Sequence, residues 1–482
     1  MILKRYFKIF ILFIVLFSGL FAFLFFEFQP SARPAKAAGD YHYVRTGAAG
    51  LNNGTDWANA WTSLPATLVR GDTYYIADGT YGGYTFNDAV SGELYITIKK
   101  AIESDHGTDT GWNASYGDGQ AVFSAPGVNT GGPWYFTTSY WQIDGIVGDG
   151  FGEIPYGFKV ALSQTFDNAI VVRIGSNADN ISLSRVELDG INEGAVGAYQ
   201  PRSDGLNIFS TGGNFNDNIK ISNCYIHDCV RTYVLFGTVK NSVIENCYME
   251  KMIGGNLSSG GYIHTGGIVN NTGAINGNNH IRNNRVRNTR GTNVIHFTNA
   301  NASDYHIYGN VVWRTSAAYD ITNGYIGSDS YSTVNNLNIY NNTIYNYDAG
   351  ISAFYIFNGD NIIIKNNVLY NCGSNTFGSA IDDHDYNASN VDLSEVNSVL
   401  LATDPFINSA TGDFRLNSPT QPGFSLSSPY NLDIIGNTRG LDGVWDRGAY
   451  EYVSASAPEP EPEPEPAPDT TPPSAPVGVS AN

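Results

Sequence analysis

Ile219-Lys-Ile-Ser-Asn-Cys-Tyr-Ile226, Ser242-Val-Ile-Glu-Asn-Cys-Tyr-Met249, Asn279-His-Ile-Arg-Asn-Asn-Arg-Val286, Tyr305-His-Ile-Tyr-Gly-Asn-Val-Val312, Leu337-Asn-Ile-Tyr-Asn-Asn-Thr-Ile344 and Ile362-Ile-Ile-Lys-Asn-Asn-Val-Leu369 repeat one pattern. An aliphatic residue at the third position is followed five residues later by another apolar one. The pairs are Ile221 with Ile226, Ile244 with Met249, Ile281 with Val286, Ile307 with Val312, Ile339 with Ile344 and Ile364 with Leu369. Strand side chains alternate with a period of two, so an odd offset puts both members of a pair on opposite faces of a flat strand. A bend between them lets both point inward, and Asn tolerates the left-handed backbone of a tight corner. Each copy reads as strand, corner, strand.

Weaker copies begin at Trp141 and Ile181. Third-position residues recur after 23, 37, 26, 32 and 25 residues, a floor with irregular additions that fits one solenoid coil plus variable loops. No proline occurs between Pro201 and Pro405, as continuous strand pairing requires, and 36 of the 51 asparagines lie between 201 and 400. Stacked Asn corners would hydrogen-bond coil to coil as a ladder. The expected fold is all-β: a single-stranded right-handed parallel β-helix of about 8–10 coils with N- and C-terminal caps, in which Ile281, Ile307 and Ile339 stack.

The chain has 482 residues and a formal charge of −19, of which −18 belongs to residues 39–452. Phosphate neutralisation needs a basic face, so nucleic acid is excluded as a partner, and a monomer is expected. Lys4, Arg5 and Lys8 precede an apolar run from Ile9 to Phe26 and then Ala35-Lys36-Ala37-Ala38. Residues 1–38 therefore read as a cleaved signal peptide or a retained membrane anchor, and the protein as secreted or held on the outer surface of a bacterium. The four cysteines, Cys224, Cys229, Cys247 and Cys372, are too few for a disulfide scaffold and show no C-x-x-C zinc spacing. Cys224 and Cys247 read as small apolar residues stacked in matching copies, with a disulfide left open.

The Asn corner pattern resembles the pectate-lyase-like superfamily of secreted right-handed β-helices. On that resemblance Ile219–Ser222 is the second strand of a coil, Tyr225–His227 the third, and Tyr233–Phe236 the first of the next. Tyr43-Val44-Arg45, Asn53-Gly54-Thr55-Asp56-Trp57 and the segment Gly71–Tyr81 are similar to the opening of such proteins. Asp404-Pro405-Phe406, Gly412–Leu416 and Asp446–Glu451 are similar to their closing cap. Accordingly, residues 39–140 are assigned to the N-terminal cap and first coils, 141–400 to the β-helix, and 401–453 to the closing segment. Pro458-Glu459 and its repeats make 454–473 a stiff Pro/Glu-rich linker, and 474–482 resembles the start of a fibronectin type III module.

The fold hosts lyases, hydrolases, epimerases and inactive binding proteins, so activity has to be read from a site. The resemblance places substrate along the first strand of each coil and the loop before it. Elimination at a uronate needs a base for the C5 proton, a cation for the carboxylate and an acid for the leaving oxygen. His264, beside Gly266 and Gly267, with Arg290, His296 and Asp320 are the catalytic candidates. Arg202, Asp204, Arg231 and Arg314 are the substrate-binding candidates. Asp382, Asp383 and Asp385 flank His384 in an acidic cluster that suits Ca2+ or, alternatively, a cap hydrogen-bond network; no other cofactor is implied. The cluster loosely resembles the Asp-Pro-His-Asp motif of mannuronan epimerases, with Asp383 in place of the proline. Three readings stand: a lyase cleaving an acidic polysaccharide by β-elimination, a glycoside hydrolase using a pair such as Asp320 with Asp382, and a surface protein that grips glycan without cutting it.

Overall fold

The computed structural model describes residues 39–454, apart from 128–130, 151, 153, 165, 193, 195–200, 211–213, 254–262, 266–274, 299–300, 320, 348–352 and 374–376. The signal or anchor segment, the Pro/Glu linker and the module-like stub lie outside the described residues.

The chain winds through three parallel sheets. Sheet A runs from Tyr41–Val44 to Asp383–Asp385 and sheet B from Gly79–Gly82 to Val399–Leu400, with 12 strands each; sheet C runs from Tyr84–Phe86 to Phe354–Tyr355 with 9. Successive strands visit A, B and C in turn, so each sheet pairs one coil with the next. This is a parallel β-helix. Ile219–Ser222 lies in A, Tyr225–His227 in B and Thr232–Phe236 in C, matching the order expected from the resemblance.

Both apolar columns stack in register. Leu183, Ile221, Ile244, Ile281, Ile307, Ile339 and Ile364 are consecutive partners in sheet A, all fully buried. Leu188, Ile226, Met249, Val286, Val312, Ile344 and Leu369 do the same in sheet B. The two columns meet in one continuous core, and its burial is the main force holding coil to coil.

The corner between A and B is two residues. Its first residue takes the left-handed backbone: Asn223, Asn246, Asn283, Asn341 and Asn366, with Gly309 filling that place in one coil. Its second residue turns inward. There Cys247 N donates to Asn284 Oδ1, Asn284 N to Asn310 Oδ1, Asn310 N to Asn342 Oδ1 and Asn342 N to Asn367 Oδ1, each at 3.0 Å. Asn367 N donates to Asn387 Oδ1 at 2.9 Å, and Asn387 meets the buried Glu395 carboxylate. The side-chain amides of Asn310, Asn342 and Asn367 also donate back to Ile281, Ile307 and Ile339 carbonyls. A buried amide satisfied on every side is the condition under which a polar group is tolerated in a core. Cys224 and Cys247 occupy the same column as small side chains, and all four cysteines are free thiols.

Left-handed residues recur every five positions within a coil: Asn218, Asn223 and Asp228; Asn278, Asn283 and Asn288; Asn336, Asn341 and Asn346; Asn361, Asn366 and Asn371. Most fall at the end of a short strand, while Asn278, Asn288, Asn336 and Asn361 lie inside longer ones, so five residues is the interval between successive left-handed positions.

Candidate functional site

Sheet C carries the two histidine candidates, His264 and His296. In its register Leu235 pairs with His264, His264 with His296, His296 with Gly327, and Gly327 with Tyr355, so these positions share one side of the sheet. The alternation slips just before that column. Val294 and Ile295 both turn into the core, which leaves Asn293 on the same outer side as His296 despite an offset of three. Asp204 and Asn207 repeat this geometry three coils earlier, where the Asn207 amide donates to Asp204 Oδ2 at 3.2 Å.

The pair has a definite protonation pattern. Asn293 Nδ2 donates to the Gly324 carbonyl at 3.0 Å, which turns Asn293 Oδ1 toward His296 Nδ1 at 2.9 Å. A carbonyl oxygen only accepts, so Nδ1 carries the proton and the lone pair sits on Nε2. Burial disfavours the imidazolium and pushes the His296 pKa down to about 4, with Asp329 opposing only in part. At neutral pH the site therefore holds an uncharged imidazole in one tautomer. That is the state required of a proton acceptor.

His264 stands next to His296 in strand register. Arg290 does not join them: it precedes the strand Gly291–Phe297, its backbone N–H donating to Met252 O, and six residues at about 3.3 Å each separate it from His296 by about 20 Å. Asp320 lies outside the described residues.

The substrate-binding candidates are engaged by the protein itself. Arg202 grips Asp167 with two bonds of 2.7 and 2.9 Å. Asp204 is fully buried and accepts from Arg231 Nε at 2.7 Å, from Arg231 Nη2, and from Thr232 Oγ1 at 2.7 Å. Burial would push its carboxyl up, but Arg231 outweighs that and holds it below the ordinary carboxylate value. The expectation that Asp204 meets a ligand is corrected: a carboxylate with no exposed surface braces the turn before sheet C. Arg231 also donates to Asn168 Oδ1 at 2.8 Å. Arg314 donates to Asn346 O at 2.5 Å and to Tyr319 O at 3.4 Å, with its guanidinium 5.6 Å from the Tyr347 ring centre. Two carbonyls and a ring hold it against the body of the solenoid.

The acidic cluster is consumed by the cap. Asp382 accepts from Ile362 N, Asp383 pairs with Lys365 at 2.7 Å, and Asp385 takes the Asn397 amides at 2.7 and 2.8 Å. His384 contacts Glu395 at 3.1 Å and stacks on Phe377. The three carboxylates point to three different partners, which corrects their assignment to a Ca2+ site. Among the described residues, convergent metal-ligand types occur at Glu187, Asp189 and His227, which the sequence reading did not select. Lys159 Nζ already bridges Glu187 and Asp189 at 2.7 Å each. Burial disfavours the charged His227 ring, but the hydrogen bonds it donates to Asp228 and Glu187 overcome it and raise its pKa to about 9. An ammonium and an imidazolium hold the position a metal would take, and an imidazolium has no lone pair to offer.

No family model and no curated protein matches the chain. Among solved structures, pectate lyase Pel9A aligns with TM-score 0.40 and 16% identity, over 86% of this chain and 97% of that one. The catalytic unit of a GH87 alpha-1,3-glucanase from Streptomyces thermodiastaticus gives 0.30 and 11%, over 68% and 59%. The Agl-KA catalytic domain gives 0.26 and 12%, over 66% and 58%. Such scores carry no argument about activity. The three-sheet register of the chain itself is that of a parallel β-helix, the architecture that the Asn corners implied.

Proposed function

We propose that the chain is an exported polysaccharide-active protein that cleaves an acidic glycan by β-elimination on the outer side of sheet C, with His296 as the base. The observation that supports this reading is the neutral, tautomer-fixed imidazole described above. His296 Nε2 takes the C5 proton, the C5–H electrons form the C4=C5 double bond, the C4–O bond breaks, and water protonates the leaving oxygen. His264, its neighbour in strand register, is the second histidine of this reading. The test is incubation of the full chain with uronate polymers while the absorbance of the unsaturated product is followed. Rising reducing ends without that absorbance would replace elimination by hydrolysis, and silence in both assays would leave a binding protein.

The rate has a predicted pH dependence. With the His296 pKa near 4, the lone pair is present above that value and lost below it. The acid limb of kcat/KM should bend near pH 4 and not near 6.5, the ordinary histidine value. A limb at the ordinary value would show that another group is the base.

Gly327 offers a second check. A Cβ there would lie 2.3 Å from Asn293 Nδ2, which is itself tied to Gly324. Gly327→Ala is expected to displace the amide, costing about 1–3 kcal/mol in chemical denaturation and at least tenfold in turnover. A variant with unchanged turnover would remove Asn293 from the account.

A further inference from the structure

Two further histidines meet on the outer side of sheet A. His280 and His306 pair in register on the strands Ile275–Arg282 and Asn301–Tyr308, and their rings stack at 4.7 Å with 17° between the planes. The closing segment folds back over them, and its Tyr430 hydroxyl lies 2.6 Å from His306 Nδ1. The Tyr430 ring meets Tyr308 and Tyr340 edge-on, each at 4.9 Å. His280, His306 and Tyr430, with Asn278, Arg282 and Pro429, line a cleft of about 490 Å3.

The hydrogen bonds around His306 admit one protonation state. Tyr340 donates to Asn338 Oδ1 at 2.7 Å, which turns the Asn338 amide nitrogen toward His306 Nδ1 at 3.3 Å. An amide NH2 group only donates, so Nδ1 carries the lone pair, the proton sits on Nε2, and the Tyr430 hydroxyl donates as well. A second proton, on Nδ1, would face that amide and break both bonds as they stand. His280 is in the same position. Its Nε2 donates to Asn278 Oδ1 at 3.2 Å, and its Nδ1 is buried with no hydrogen-bond partner to receive a second proton.

The charged groups facing the pair do not compensate. Arg282 repels a further cation, its Nε is 2.8 Å from Glu245 and so occupies that carboxylate, and Asp304 accepts the Asn336 amide at 3.0 Å. Burial holds the phenols of Tyr308, Tyr340 and Tyr430 neutral. Burial, His306 and Arg282 together push the His280 pKa down to about 4 against Glu245, and burial lowers that of His306 against Asp304.

We infer that the stacked histidines and Tyr430 form an acid-labile clasp, which holds the closing segment on sheet A while both imidazoles are neutral and lets the Tyr430 turn lift when they take up protons. In the lifted state the rings meet water and return toward the ordinary histidine value of about 6.5, so that state binds more protons. Closure is therefore strongest above about pH 6.5 and weakens as pH falls toward about 4. The clasp lies on a different sheet from His296 and does not depend on the elimination proposed there.

The test is hydrogen exchange of the full chain at about pH 7.5 and about pH 5, corrected for the intrinsic pH dependence of exchange. The reporter is the Tyr430 N–H, which donates to Ser427 O at 3.0 Å. Its protection is expected to fall about tenfold or more at the lower pH, while the Asn342 N–H in the solenoid core keeps its own. The double variant His280→Gln with His306→Gln, which has no imidazole to charge, should show equal protection at both values. Tyr430→Phe should be less protected already at the higher pH, and nitrogen NMR of the parent should find His306 protonated on Nε2 alone. Parent protection that is the same at both pH values, a fall that persists in the double variant, or a His306 ring protonated on Nδ1 at neutral pH would overturn the inference.

Discussion

Asn342→Ala should be the most destabilising single change in the solenoid, at about 3–6 kcal/mol in chemical denaturation. The Asn342 amide oxygen accepts from Asn310 N at 3.0 Å and Asn310 Nδ2 at 2.9 Å, while its Nδ2 donates to Ile307 O and Asn367 Oδ1. Truncation leaves several fully buried groups unmatched, each at about 1–3 kcal/mol. Asn371, after the sheet B strand of the following coil, makes comparable bonds on the surface, and Asn371→Ala is expected to cost under about 1 kcal/mol because water replaces them. Similar losses at the two positions would mean that coil cohesion is apolar alone. Because solenoids unfold by neighbouring repeats, the comparison is best made by hydrogen exchange at Ile307 and Ile339 beside the denaturation midpoint.

His296→Ala is expected to lower kcat by about 10³- to 10⁴-fold with little change in KM, the loss typical of a missing general base. Asn293→Asp carries the sharper signature. A carboxylate facing Nδ1 favours the imidazolium, so the acid limb near pH 4 should move upward. Nitrogen NMR of the imidazole reads the same event without turnover: the parent ring should be protonated on Nδ1 alone at neutral pH. A rate within threefold of the parent for His296→Ala would sink the assignment.

The architecture was legible because it rests on local chemistry repeated along the chain. The offset between Ile221 and Ile226, with an Asn or Gly corner between them, implies a bend, and stacking such bends fixes which residues of distant coils meet. The site was legible only in part. His296 and its sheet followed from the period of the coils, but Asn293 did not: a three-residue offset looks like opposite faces until Val294 and Ile295 are seen to turn inward together. Asp204 and Arg231 each read as a substrate-binding candidate because sequence shows their charge and hides the turn that buries one against the other. Arg285 sits inside the repeat, yet it donates to the Tyr450 hydroxyl of the closing segment, which no local pattern connects to it.

The two-residue corner between sheets A and B has the same length from Asn223-Cys224 through Asn366-Asn367, while the chain between one such corner and the next varies. Growth and shrinkage of the protein are therefore confined to the other two bends, which act as ports where segments can be grafted or trimmed without resetting the winding. An engineer seeking to install a new specificity would lengthen the joints into and out of sheet C and leave the asparagine hinge alone.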